Sequence, residues 1–334
     1  MPTDRMTRIE DFVAERNRAK ILFTAGPASL LPENLQGLRP CFGRGDEDYA
    51  AVEERVLTAL GGMTGHRRVA RLQGSASLAL EIMALNFLYG KVLVVDTGYY
   101  SDRLKWLAES AQRRQGAITE VRSTGWEDLE HVSGPFDWVV ACSVETSRGL
   151  RLPIALLADT AKRSGARLML DATASIGLES GHEQADVIGY SSCKGLFGLT
   201  GGAFVAFNEV PDQEVDSFYL SLETHLERKM TGPYHAIASL VEVLPHHDDF
   251  RAAVEINKAR CTEEMAGWLI YPEAQQPLLC TYVDRQVSAT DPRAILYTPR
   301  SKLDGSVICH LGEVHLGREA KGEILDYLEV SAHG

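Results

Sequence analysis

KVLVVDTG (residues 91–98) sets four apolar residues in a row, three of them valines, before the chain turns polar. A strand with one wet face alternates apolar and polar residues. An unbroken, β-branched run reads instead as a strand covered on both faces, as in a parallel sheet. The flanking segments supply the covers. ASLALEIMALNFLYG (76–90) and DRLKWLAESAQRRQG (102–116) carry helical apolar spacing, each with a glycine as its stop. Working outward, VARLQGS (69–75), AITEVRS (117–123), FDWVVACSVET (136–146) and RLMLDAT (167–173) read as strands. IALLADTAKRSG (154–165) reads as a helix, and the strands ADVIGYSS (185–192) and GAFVAFN (202–208) flank CKGLFGLTG. This alternation predicts an α/β fold with a doubly wound, mostly parallel sheet.

The ends of the chain are less regular. The first 20 residues read as a charged helical arm, and TAGPASLLPENLQGLRP (24–40) reads as irregular loop because Pro and Gly break both periods. Asp46 to Leu60 has helical spacing. In the second half, GPYHAIASLVEVLPHH and INKARCTEEMAGWLI read as helices, ILYTPR and SVICHLGE as short strands, and EAKGEILDYLEV as a terminal helix. The resulting division is an arm (1–20), a large domain (21–235) and a smaller C-terminal α+β domain (236–334).

Composition narrows the function. Of 334 residues, 45% are hydrophobic and 24% charged, which excludes a disordered chain. Lys+Arg 34 against Asp+Glu 46 leaves a net charge of −12, a poor basis for binding nucleic acid. An anionic small substrate needs only a local basic pocket. No apolar run approaches the ~20 residues of a membrane helix, and the N-terminus lacks the apolar centre of a signal peptide. Six scattered cysteines (41, 142, 193, 261, 280 and 309), with no CxxC pair, read as reduced packing thiols in a cytoplasmic protein without zinc.

Ligands on such sheets bind at the carboxyl ends of strands, so those ends carry the functional argument. After 69–73 come Gly74, Ser75, Ala76 and Ser77 at a helix start, either an ordinary cap or an anion cradle. After 91–96 come Gly98, Tyr99 and Tyr100, aromatics that pack or stack on a flat ring. After 136–144 come Glu145, Thr146, Ser147 and Arg148. Strand 167–170 ends in Asp171, an acid that needs a partner if buried. Lys194, one of nine lysines, sits in a Ser/Gly turn between two apolar strands. Each feature alone has a commoner structural explanation. Together they supply an anion cradle, a stacking ring, a hydroxyl, an acid for a ring nitrogen and an amine for an aldehyde. Those are the groups that pyridoxal 5′-phosphate (PLP) requires.

The chain resembles the class V aminotransferases of fold type I from about Leu22 to its end. The passages that carry the resemblance are FTAGPAS (23–29), LQGSASLALE (72–81), DTGYYSDR (96–103), VETSRG (144–149), DATASIG (171–177), SSCKGLFGLTGGAFVAF (191–207) and MTGPYHAIASLVEVL (230–244). Within that family it is most similar to the 2-aminoethylphosphonate–pyruvate group. The resemblance implies Lys194 as the Schiff-base lysine, Asp171 at the pyridinium nitrogen, Tyr100 stacked on the ring and Thr146 near its phenolic oxygen. It implies Ser75, the Ala76 backbone, Ser77 and Ser192 around the phosphate, with Thr231 reaching the site of a partner subunit in a homodimer. The implied activity is amino transfer between a small amine or amino acid and a keto acid such as pyruvate.

One position departs from that pattern. Relatives carry a substrate-binding Arg in a strand reading roughly Arg-Ile-Gly, where this chain has Ile308-Cys309-His310-Leu311-Gly312. Histidine lacks the bidentate fork of arginine and is only partly charged at neutral pH. His310 is therefore one candidate contact for substrate, and Arg148, Arg44 and Arg300 are candidates for the missing charge. Arg260 to Thr281 is shorter than expected, so the small domain is expected to be reduced. A PLP-dependent lyase or epimerase, or a non-catalytic descendant, shares the same residues. A nucleotide-binding Rossmann enzyme lacks its Gly-x-Gly fingerprint here.

Overall fold

The computed structural model describes residues 8–27, 29–40, 45–211, 213–318 and 323–330. Its centre is a seven-stranded sheet of β1 (Arg68–Gln73), β2 (Gly90–Asp96), β3 (Ile118–Gly125), β4 (Trp138–Cys142), β5 (Arg167–Asp171), β6 (Val187–Ser191) and β7 (Gly202–Phe207). The spatial order is β3-β2-β4-β5-β6-β7-β1. Pairings from β3 to β6 are parallel, and β7 runs antiparallel to both β6 and β1. The carboxyl ends of the six other strands, and the amino end of β7, therefore share one edge.

The side-chain period of two splits the apolar runs between two cores. Val92 and Val94 pack on one face with α3 (Ala76–Phe87) and α4 (Tyr99–Gln115). Leu93 and Val95 face the other side with α2 (Glu47–Thr64), α5 (Ile154–Ser164) and α6 (Tyr234–Leu240). Burial on both faces is why KVLVVDTG does not alternate. Asp46 caps α2 through the Asp48 and Tyr49 amides, and Gly116 and Gly165 end α4 and α5 in the left-handed conformation.

Gly90 differs from expectation. The preceding helix stops at Phe87, and Gly90 opens β2 with φ +62°. A side chain there would lie 2.1 Å from Asp137 Oδ2, so the glycine serves strand packing rather than a helix stop.

α1 (Ile9–Asn17) occupies the described part of the arm. The loop read over 24–40 contains a short helix, Pro32–Gln36, with Pro at its first turn. In the second half, α7 (His247–Glu264) begins nine residues before the expected INKARCTEEMAGWLI helix and ends short of it in a 3-10 turn. The terminal helix over 319–330 is absent from its described part. Glu323–Tyr327 is a 3-10 turn, and Leu328–Val330 pairs antiparallel with Val287–Ala289. Alternating side chains in LEV suit an edge strand better than a helix stripe.

The C-terminal region is built from two-stranded pairs, Cys280–Val283 with Ser306–Cys309 and Ile21–Phe23 with Ala294–Leu296 among them. The latter joins the first described strand to the last third of the chain. The 235/236 division falls inside α6, whose Ile237 and Leu240 belong to the sheet's core. We propose that the large domain extends past Val241 and that Ile21–Phe23 counts with the C-terminal region. No helix among the described residues is long and apolar enough to cross a membrane.

Candidate active site

The shared strand edge opens into a cavity of about 530 Å³. Ser75, Ala76, Ser77, Tyr100, Thr146, Asp171 and Lys194 all line it, each delivered by a different turn or strand end except for the Ser-Ala-Ser run. Ser75 stands at the N-cap of α3 without a side-chain capping bond, leaving its hydroxyl and the first helical amides for an anion. Asp171 is buried. Its Oδ1 accepts from the Thr173 amide at 3.0 Å and its Oδ2 from Arg103 Nη2 at 3.0 Å. Lys194 Nζ lies 6.0 Å from the centroid of the Tyr100 ring.

The turn that presents Lys194 is tied from several directions. Phe197 N donates to Lys194 O, and Gly198 N to Ser192 O. His247 Nε2 bonds Gly195 O at 2.7 Å, and Asn34 Nδ2 donates to Phe197 O at 2.8 Å. Phe197 itself has φ +55°, a strained conformation for a bulky residue, held by packing against His247, Phe250 and His315.

Glu145 organises the neighbouring end. It is fully buried and accepts from the Tyr100 and Ser101 amides and from the Ser147 amide and hydroxyl. Burial pushes its carboxyl above the usual range, and these hydrogen bonds oppose that shift. Tyr297, from the C-terminal region, brings its hydroxyl to 3.5 Å from Thr146 Oγ1, and burial raises its phenol as well.

Four expected residues sit elsewhere. Ser192 does not line the cavity; its hydroxyl donates to Leu199 O at 2.5 Å and lies 3.2 Å from Gly202 O, so it closes the lysine turn, while Ser191 and Cys193 face the space. Thr231 is exposed and outside the cavity of this subunit. Arg148 packs its stem at Gly98 and bonds Tyr271, and it too is absent from the lining.

His310 is completely buried. Its Nε2 lies 2.9 Å from Thr281 Oγ1, which receives Lys258 Nζ at 2.7 Å, so Thr281 donates to the imidazole. Burial first, then the Lys258 charge, push His310 well below its ordinary range. A neutral imidazole sealed in this way cannot anchor a substrate anion. Arg44 lies outside the described residues.

Two lining groups, Arg103 and Tyr297, were not legible as site residues, and Arg300 was one candidate among several. Arg103 follows Tyr100 by three positions on α4, and that helical spacing is the signal that would have found it. Tyr297 and Arg300 come from a loop some 100 residues past Lys194 and carry no local signal. Arg300 is exposed at the mouth, with its guanidinium 5.4 Å over the Tyr99 ring and no carboxylate partner among the described residues.

The site fits PLP on its own observations. The cavity has the size of a small-molecule site. Its anion cradle is open, and a buried acid and an amine face the same space. Arg103 Nε and Thr173 Oγ1 are buried polar atoms with no hydrogen-bond partner among the described residues.

No family model matches the chain. A 2-aminoethylphosphonate–pyruvate transaminase of Pseudomonas aeruginosa is 30% identical over 258 residues, covering 70% of this chain and 69% of the relative. The Pseudomonas putida protein of the same name is 27% identical over 259 residues, 70% of each chain. Among solved structures, an alanine–glyoxylate aminotransferase of Nostoc sp. superposes with TM-score 0.75 at 17% identity, covering 92% of this chain and 93% of that one. A Thermus thermophilus aspartate aminotransferase gives 0.73 at 21% identity, covering 91% and 99%.

The fold is thus that of the PLP-dependent enzymes of fold type I. The chain belongs to the class V aminotransferase family and is a PLP-dependent transaminase.

Proposed function

We propose that this enzyme moves the amino group of a small anionic amine, of which 2-aminoethylphosphonate is the leading case, to a keto acid such as pyruvate. One observation carries the reading: Lys194 and Asp171 open into a single cavity, with the Ser75–Ser77 cradle and Arg300 lining the same space. When bound, the cofactor draws electrons from the amine-bearing carbon of the substrate. Asp171 would hold the ring nitrogen, Tyr100 the face of the ring, Thr146 the phenolic oxygen and the Ser75–Ser77 cradle the phosphate. Lys194 would be the covalent attachment point, and its free Nζ would serve as the base that takes the proton from the amine-bearing carbon of the substrate.

Arg300 replaces the substrate-binding arginine that His310 cannot be. It stands at the mouth beside Tyr99 with no carboxylate partner among the described residues, on a loop of the C-terminal region, and offers a planar fork to a phosphonate or carboxylate. The exposed Thr231 fits a homodimer in which it reaches the partner's cofactor phosphate, and the five cysteines among the described residues, all buried and unpaired, fit a reduced cytoplasm.

The test is a half-reaction. Loaded protein mixed with 2-aminoethylphosphonate and no keto acid is expected to yield pyridoxamine phosphate and one equivalent of oxo product. A lyase or epimerase leaves the cofactor in its aldehyde form.

A further inference from the structure

Arg103 touches three of the residues assigned to the cofactor. Its Nη2 lies 3.0 Å from Asp171 Oδ2, its Nη1 3.2 Å from Ser77 Oγ, and its guanidinium 5.0 Å over the Tyr100 ring. One rigid, planar cation thus spans the acid assigned to the ring nitrogen and the cradle assigned to the phosphate. Its Nε is buried and finds no acceptor among the described residues.

We infer that Arg103 is a positioning residue that supplies the positive charge of the phosphate end and ties it to Asp171. The inference rests on the PLP reading above.

Charge counting supports it. A phosphate monoester carries about −1.5 to −2 at neutral pH. The helix start offers roughly +0.5 together with amide donors, and the serine hydroxyls are neutral. The cavity lining holds only three cations among the described residues: Lys194, Arg103 and Arg300. Lys194 is committed to the covalent link, and Arg300 stands beside Tyr99. Arg103 alone bonds a member of the cradle. The rigid fork also explains why a lysine is a poor substitute, since a point charge on a flexible stem cannot hold Asp171 and the phosphate end at once.

The experiment compares PLP with pyridoxal, which has the same ring and aldehyde but no phosphate. Full-length protein freed of cofactor is titrated with each, for wild type, Arg103→Gln and Arg103→Lys, following absorbance. The readout is the ratio of the two dissociation constants, which isolates the phosphate. Arg103→Gln is expected to shrink the wild-type ratio by about tenfold or more, because a charge-assisted contact is lost. Inorganic phosphate should compete with PLP more weakly in that variant than in wild type.

An unchanged ratio in the variants overturns the inference, even if both ligands bind more weakly, since that pattern places Arg103 on Asp171 alone. If Arg103→Gln does not fold, Arg103→Lys is read by the same ratio, with a fall of about threefold or more expected. Should wild type itself give no Lys194-dependent absorbance band, the PLP reading fails. A band with an unmoved ratio removes only the role of Arg103.

Discussion

Lys194 sits in its turn because of backbone contacts rather than anything its amine does: His247 and Asn34 hold the carbonyls of Gly195 and Phe197. At this scale the sequence told much of the site. A strand-terminal acid, a Ser-Ala-Ser helix start and a lysine in a Ser-Ser-Cys-Lys-Gly turn are local features, and all line one cavity. His310 was misleading because its alignment with the family's arginine says nothing of burial. Arg300 was found only as one of several candidates, because its place depends on how a distant loop folds back. If Arg300 holds the substrate anion, Arg300→Ala should lower kcat/KM for 2-aminoethylphosphonate by roughly 10- to 100-fold, the equivalent of a charge-assisted hydrogen bond. The loss should fall mainly on KM, with PLP affinity unchanged. Steady-state kinetics beside a PLP titration check both.

Among elements, the start of α4 is the most dependent on a single side chain. Glu145, on a two-residue strand after β4, accepts from the first amides of α4 and from Ser147 of its own turn. It fixes where Tyr100 and Arg103 stand. Removing it orphans buried donors, so Glu145→Ala is expected to destabilise the protein on the order of 3 kcal/mol, measured by denaturant unfolding, and to weaken PLP binding in parallel. Glu145→Gln keeps one acceptor and should fall between.

Strand and helix types in the large sheet were legible because both periods are strong there and glycine caps mark α4 and α5. Boundaries were less so. Gly90 carried the signature of a helix stop while its actual constraint is the approach of Asp137. The C-terminal strands are three or four residues long and pair with partners far away in sequence, which no local window reveals.

For the whole molecule, buried histidines set a pH dependence. Burial lowers His182 to about 4, with His66 adding to the effect, and His315 to about 3, and together with the Lys258 charge it holds His310 well below its ordinary range. Each stays neutral in the fold while the unfolded chain takes up a proton near pH 6.5. Their contribution is therefore complete above about pH 6.5 and is lost as pH falls toward their folded values. Each should remove on the order of 1 kcal/mol per pH unit in that window. The raised Glu145 and Glu313 act with opposite sign and offset part of the loss near its lower end. Urea midpoints measured between pH 7.5 and 5 should fall, and replacing His182 with Gln should flatten the slope.

The central claim is that one amine, that of Lys194, carries the cofactor opposite Asp171. Reduction of the loaded protein with borohydride, followed by digestion and mass spectrometry, tests it directly. The account predicts a phosphopyridoxyl label on the peptide containing Lys194 and none in Lys194→Ala. A label confined to another of the nine lysines, or no label at all, would contradict it.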